Sequence, residues 1–192
     1  MITAYEFFQQ VLVGDFDNQR QVDAERAAGK QVHPFAQHVN RIFTHRIEGL
    51  PPDLEGCYIL EESYYTYPNQ PMTIKPHLFY VVPHGDEVAR LRPVKMPEHW
   101  PLEAIRNDNP ALKFHIDELS LIEWFNPADY RMIGETLQVN NPNDLGDGRH
   151  FTLTETFTID RLEVMELWMK DGVQLTPYND PIIYERIPQN PQ

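Results

Sequence analysis

The amino-acid sequence predicts a mainly β domain, an antiparallel sheet closed into a barrel or sandwich behind an opening helical segment. Three observations predict it. Seven or eight runs rich in aromatic and branched residues recur at short spacing. The 17 prolines among 192 residues fall mostly between those runs, where they interrupt no ladder. One run, Phe151-Thr-Leu-Thr-Glu-Thr-Phe-Thr, places threonine at every second position, a residue that suits a pleated surface and disfavours a helix. With 41% apolar and 11% aromatic residues the chain can bury a sizeable core. No internal repeat or linker divides it, so residues 1–192 are expected to form one domain.

Taken in order, Thr3-Ala4-Tyr5-Glu6 has capping-box spacing, and Tyr5, Phe8, Val11 and Leu12 then share one helical face with Gly14 as the stop. Residues 19–28 predict a second, polar helix ending at Gly29, so residues 1–29 form the helical segment. Residues 32–47 read as a strand that carries Val39, Arg41, Phe43, His45 and Ile47 on one face. Residues 56–67 form the next, bounded by Pro51-Pro52 and Pro68-Asn69. Residues 78–82 and 87–94 flank a Pro83-His84-Gly85-Asp86 turn as a hairpin. Residues 130–139, 151–159, 162–170 and 182–187 complete the set. Pro101 and Pro110 keep any helix around residues 102–106 short. Residues 140–149 (NNPNDLGDGR) read as a solvated loop, and residues 188–192 as a frayed tail.

Charge and motif content narrow the function. Twenty-nine acidic against 16 basic residues give −13, which argues against nucleic acid and anionic membrane surfaces as partners, since both need clustered Lys and Arg. No run approaches the roughly 18 apolar residues that span a bilayer. The N-terminal MITAYEFFQQ shows no basic region and no long apolar run, so a cytoplasmic setting is expected. The single cysteine, Cys57, excludes an internal disulfide or Cys-rich zinc module and reads as a buried thiol. Phosphate-cradling, nucleophile-elbow and HExxH motifs are absent. Asn141, Asn143, Asp144 and Asp147 lack the spacing and closing Glu of an EF-hand. His33 and His45 would share one strand face while His38 points the other way, so no metal site is expected from that strand.

The tyrosine-rich strand carries chemistry on both faces. Tyr58, Leu60, Glu62 and Tyr64 share one; Ile59, Glu61, Tyr65 and Tyr67 share the other. Arg41, Arg92 and Arg131 sit in strand-like runs, where a long cation either reaches out to water or meets an anion. Trp124 and Trp168 offer stacking faces. Such a set suits a pocket for a flat, partly charged ligand, and it suits an aromatic core equally well.

The segment Gly14-Asp15-Phe16-Asp17-Asn18-Gln19-Arg20-Gln21, directly after the amphipathic helix, resembles the G-x-F-x-N-x-x-Q segment of the CpcT/CpeT-type chromophore lyases. The likeness continues through a His-containing strand (38–47), the Gly49-Leu50-Pro51-Pro52 turn, a Gly-started strand ending in Glu61-Glu62 and a final Pro181-Ile182-Ile183-Tyr184-Glu185-Arg186 strand. The family's Pro-Tyr-Arg-x-Arg stretch has no counterpart at Pro71-Met72-Thr73-Ile74-Lys75, nor its Gly-Cys pair near residues 116–124. The resemblance implies a calycin/lipocalin-like antiparallel β-barrel with a ligand cavity. It further implies an activity, attachment of an open-chain tetrapyrrole, a bilin, to a cysteine of an acceptor phycobiliprotein, with no further cofactor required. Such a site needs cations for two propionates, a carboxylate near the pyrrole nitrogens and aromatic walls. By residue type and expected strand direction, Glu62 is the catalytic candidate, and Arg41, Tyr64, Arg131, Trp124 and Trp168 are the ligand-binding candidates. Two other readings stand beside it. One is a non-catalytic calycin-like protein for another small lipophilic or aromatic ligand. The other is a silent barrel acting through protein contacts, as a homodimer joined at an exposed edge strand. Asn18 and Gln21 are expected to cap a helix-to-strand corner.

Overall fold

Thr3 opens the first helix by the expected reciprocal pair. Its hydroxyl accepts from the Glu6 N–H at 3.2 Å, while the Glu6 carboxylate accepts from the Thr3 N–H at 2.8 Å. The computed structural model of the chain describes residues 2–188; of the tail read as frayed, residues 189–192 lie outside the described residues. Helix α1 (Ala4–Leu12) buries Ala4, Phe8, Val11 and Leu12. After it come β1 (Gly14–Asp17), α2 (Gln19–Ala27), β2 (Phe35–Ile42), β3 (Cys57–Thr66), β4 (Thr73–Pro83) and β5 (Val88–Lys95). The chain then continues through β6 (Ala128–Ile133), β7 (Thr136–Gly146), β8 (Arg149–Phe157), β9 (Arg161–Lys170) and β10 (Ile182–Arg186). Each strand pairs antiparallel with the next in sequence, and β10 returns to β1 through Phe16↔Arg186 and Asp17↔Glu185. The result is a closed up-and-down barrel of ten strands. Closure pairs every barrel strand on both sides, so among the described residues the barrel leaves no exposed edge of the kind expected for a homodimer.

Three local readings are corrected. Residues 130–139 are not one strand: Gly134, at φ +62°, and Glu135 form a two-residue turn between Ile133 and Thr136. Residues 140–146 are not loop but the second half of β7. There Asn141 donates to the Asn126 carbonyl at 2.8 Å and Asn143 accepts from the Asn126 N–H at 2.6 Å. The turn shrinks to Asp147-Gly148, both at positive φ. Lastly, β2 stops at Ile42, and His45 lies in a 3₁₀ turn (Thr44–Arg46). The brief helix at 102–106 is a 3₁₀ turn (Leu102–Ala104).

Two apolar clusters divide the barrel wall. The inner one gathers the inward residues of the strands around Phe8, Phe16, Ile59, Val81, Leu137 and Phe157. The outer one forms because the excursion between β5 and β6 folds back on the barrel's exterior. There Ile105, Leu112 and Phe114 pack on Phe43, Tyr58, Leu60 and Leu78. Strand β3 is therefore buried on both faces. Helix α1 plugs one end of the barrel, with the Phe8 ring edge-on to Tyr130 at 4.8 Å. Helix α2 follows the opposite end of β1, and Asn18, at its N-cap position, makes no side-chain cap; instead Asn18 and Gln21 tie the corner to neighbouring backbone. Asn18 donates to the Pro34 carbonyl at 2.9 Å and accepts from the Ala36 N–H at 2.8 Å. Gln21 bridges the Pro181 carbonyl and the Ile183 N–H, both at 3.0 Å.

Gly56 starts β3 at φ +91°, where an added Cβ would lie 2.2 Å from the Val81 carbonyl oxygen. Gly56→Ala is expected to cost about 3 kcal/mol, from strain and backbone clash together, read as a lower midpoint in urea unfolding. An unchanged midpoint would show that the start of β3 relaxes freely.

Candidate ligand-binding site

The strand period decides what reaches the lumen. On β8 the threonines Thr152, Thr154 and Thr156 point out, so Phe151, Leu153, Glu155 and Phe157 point in; β9 presents Val164, Glu166 and Trp168 in the same way. From β2 and β3 come His38, Glu61 and Tyr65, and from β4 come Lys75, His77 and Phe79. Together with the loop residues Trp124 and Phe125 they enclose a cavity of about 280 Å³, with Leu12 of α1 contributing to its wall. One opening of this cavity is aromatic. Trp168 lies 4.5 Å from Phe151 and 6.4 Å from Trp124, ring centre to ring centre, and the two indoles remain 36% and 46% exposed.

Deeper in, the lining turns acidic. The Tyr130 hydroxyl donates to the Glu155 carboxyl, and the Ser63 hydroxyl donates to Glu61 Oε1 at 2.9 Å. His38 Nδ1 stands 3.6 Å from Glu61 Oε2, and its ring lies 4.2 Å from that of Tyr184. Lys75 rests its ammonium 5.3 Å from the Tyr65 ring centre, and His77 stacks nearly parallel to Phe79 at 5.9 Å. Glu155 and Glu166 keep some exposed surface and line the cavity, while His77, more exposed, lines it and also borders an outer groove beside Leu78, Lys95 and Trp100.

Burial sets the charge states. It raises the Glu155 carboxyl to about 8, with repulsion from Glu61 and Glu166 adding to the rise and the Tyr130 hydrogen bond opposing it. Burial raises Glu166 as well, against the pull of Lys75. It lowers both imidazoles, His38 and His77, although Glu61 pulls each the other way. Around neutral pH the lumen thus holds neutral imidazoles and a protonated Glu155 bonded to Tyr130.

The residues chosen from sequence separate into two groups. Trp124 and Trp168 meet at the mouth. Glu62, Tyr64, Arg41 and Arg131 do not face the lumen, a correction to the expected strand direction. Glu62, 3% exposed, lies under the outer excursion, where it accepts from the Asn107 N–H at 2.7 Å and from the Tyr64 hydroxyl. Arg106 approaches it at 3.6 Å and covers the Tyr64 ring at 5.3 Å. Arg41 pairs with Asp15 at 2.6 Å, and Arg131 is exposed on the odd-numbered, outward row of β6. Residues that do line the lumen, namely His38, Glu61, Lys75, His77, Glu155 and Glu166, were not singled out as site residues. A signal for two of them lay in the pattern, as a lone carboxylate in an otherwise apolar inward row.

Among the described residues, no group of three His, Cys, Asp or Glu side chains could hold a metal ion. Cys57 is buried, with Gln9 Nε2 at 3.3 Å from its sulfur. No helix among them is long and apolar enough to cross a membrane. The fold and its lumen define the class of protein, a calycin/lipocalin-like antiparallel β-barrel with an N-terminal helix. In comparison with known proteins, no family model and no curated sequence matches the chain.

Proposed function

We propose that the chain binds a small, flat, largely apolar molecule in its barrel lumen. The observation that carries this reading is the cavity itself, aromatic at the mouth where Trp124, Trp168 and Phe151 cluster, and polar within. Ligand pockets combine apolar walls with a few convergent polar groups, whereas a barrel interior that serves only stability has no use for three inward carboxyl groups.

A second reading is that of a bilin lyase of the CpcT/CpeT type, as the Gly14–Gln21 segment suggests. Favouring it, the lumen offers carboxylates for pyrrole N–H groups, aromatic walls, and Lys75 and His77 for propionates. In that role the barrel would hold the tetrapyrrole with its reactive side chain toward the mouth, and an acceptor protein would bring the thiolate. The strongly negative chain opposes docking of an acidic acceptor.

Titration with phycocyanobilin, biliverdin and haem, followed by absorbance and tryptophan emission, tests both readings. Saturable quenching of Trp124 and Trp168 is expected on lumenal binding, and replacing both by phenylalanine should abolish most of it. A red-shifted, saturable bilin spectrum supports the lyase reading and justifies a transfer assay with an acceptor thiol. No spectral change with any of the three retires that reading.

A further inference from the structure

We infer that the lumen selects a ligand bearing a nitrogen-centred hydrogen-bond donor, cationic at neutral pH, seated beside Glu61 and His38 while its flat body lies against the aromatic mouth. This rests on the lumenal binding reading and names the ligand class that the reading leaves open.

His38 is 5% exposed and lines the cavity, yet its Nε2 has no hydrogen-bond partner. An orphaned buried polar atom costs free energy unless something outside the protein chain satisfies it. Nδ1 is the ring nitrogen nearer Glu61, at 3.6 Å, and a proton held on that side leaves Nε2 of the neutral imidazole as an acceptor. Glu61 Oε2, on the Nδ1 side of the ring, is a further acceptor, because the Ser63 hydroxyl occupies only Oε1.

Charge points the same way. With Glu155 protonated, two further carboxyl groups, Glu61 and Glu166, enter the lumen against one lysine, Lys75. An anionic head would be forced against like charge, and a hydroxyl would supply a single donor. A protonated nitrogen supplies two or three donors and offsets the acidic lining, while Trp124 and Trp168 accept the adjoining ring by stacking. The chain's net charge of −13 draws cations toward the protein as a whole.

Three probes that share one ring and differ in the charge of the head test this at pH 7. They are 1-naphthylmethylammonium, 1-naphthalenemethanol and 1-naphthaleneacetate, titrated calorimetrically into the full chain. The cation is expected to bind at least about tenfold more tightly than the alcohol, and the anion most weakly. Glu61→Gln should weaken the cation about tenfold and leave the alcohol within about twofold. Glu166→Gln serves as a second variant, and Glu163→Gln, on the outward row of the same strand, should change none of the three. Tighter binding of the alcohol or the anion, or cation affinity unmoved by both lumenal variants, overturns the inference and leaves lumenal binding standing. If none of the probes binds while a tetrapyrrole does, the inference alone falls. If nothing binds, both readings fall.

Discussion

Arg186→Leu should lower the melting temperature on the order of 10 °C, a loss of about 4 kcal/mol, and it should do so by opening the plugged end of the barrel. Helix α1 ends inside the molecule, where its last carbonyls have no intrahelical donors. The Arg186 guanidinium, arriving from β10, fills that need. It donates to Gln10 and Val11 carbonyls at 2.9 Å each, to Val13 at 2.7 Å and, through Nε, to Ile159 at 2.8 Å. Its charge also complements the negative end of the helix dipole, and the group lies 4.6 Å from the Phe16 ring centre. Gly14 makes the approach feasible, since an added Cβ there would lie 2.2 Å from Nη1. Leucine would leave four carbonyls without this donor at the junction of α1, β1 and β10. Lysine keeps the charge but lacks the planar fork, so Arg186→Lys should recover no more than about half of the loss. The contrast is Arg20, whose pair with Glu185 is 83% and 40% exposed; Arg20→Ala should move the midpoint by less than about 1 kcal/mol. A leucine variant melting within about two degrees of the native protein would refute the assignment of Arg186 as the tie between helix and barrel.

The fold was legible because its signals are local. Capping-box spacing, proline punctuation and threonine alternation each report short-range geometry, and β8 buries Phe151, Leu153 and Phe157 on the row opposite the threonines. The missed strand pairings have local causes too. Gly134-Glu135 carries no Asn-Gly or Asp-Gly signature, and β7 holds Asn, Pro and Asp in a strand because the asparagine amides are satisfied by the Asn126 backbone. The site was legible only in part. Alternation states which residues of β3 share a face but not which face is inside, and here both are buried, one by the lumen and one by the outer excursion. Glu61 and Glu62 are neighbours of the same type, so choosing between them needs the position of residues 96–119, a long-range fact. For Glu155 and Glu166 the choice could have been made. Phe151, Leu153 and Phe157 mark the inward row of β8, and Leu162, Val164 and Trp168 mark that of β9. A carboxylate inside such a row has to be paired, protonated or waiting for a ligand.

Stability should fall as pH rises from about 7.5 to 8.5, and Glu155→Gln should remove most of that fall. The folded protein holds the Glu155 carboxyl at about 8 against an ordinary value of 4.5, burial being the main cause. Between those values the native state keeps a proton that the unfolded chain has released. The contribution is therefore complete below the unfolded value and disappears as pH passes through the folded one. Carried in full from 4.5 to 8, the shift is worth about 5 kcal/mol; because the side chain faces a water-accessible lumen, about 2–3 kcal/mol is the expected size over that whole interval, and less than about 1 kcal/mol of it falls above pH 7. The imidazoles work with the opposite sign. His38 and His77 have folded values lowered by burial, so the unfolded chain binds their protons more readily and stability rises with pH until both states are neutral, about one unit above 6.5. Glu166, raised for the same reason as Glu155, adds to the decline. Above about 7.5 the histidine contribution is constant and the carboxyls alone set the slope. A glutamine at this position still accepts from the Tyr130 hydroxyl through its amide oxygen but has no proton to lose. The urea midpoint of the Glu155→Gln protein should stay nearly flat from about pH 7.5 to 9 and exceed that of the native protein at the upper end. Glu163→Gln, on the outer row, should keep the native slope. A native protein whose midpoint is constant across this range, or a Glu155→Gln protein that follows the native slope, would mean that Glu155 ionises without cost and that the lumen is a wet, high-dielectric space.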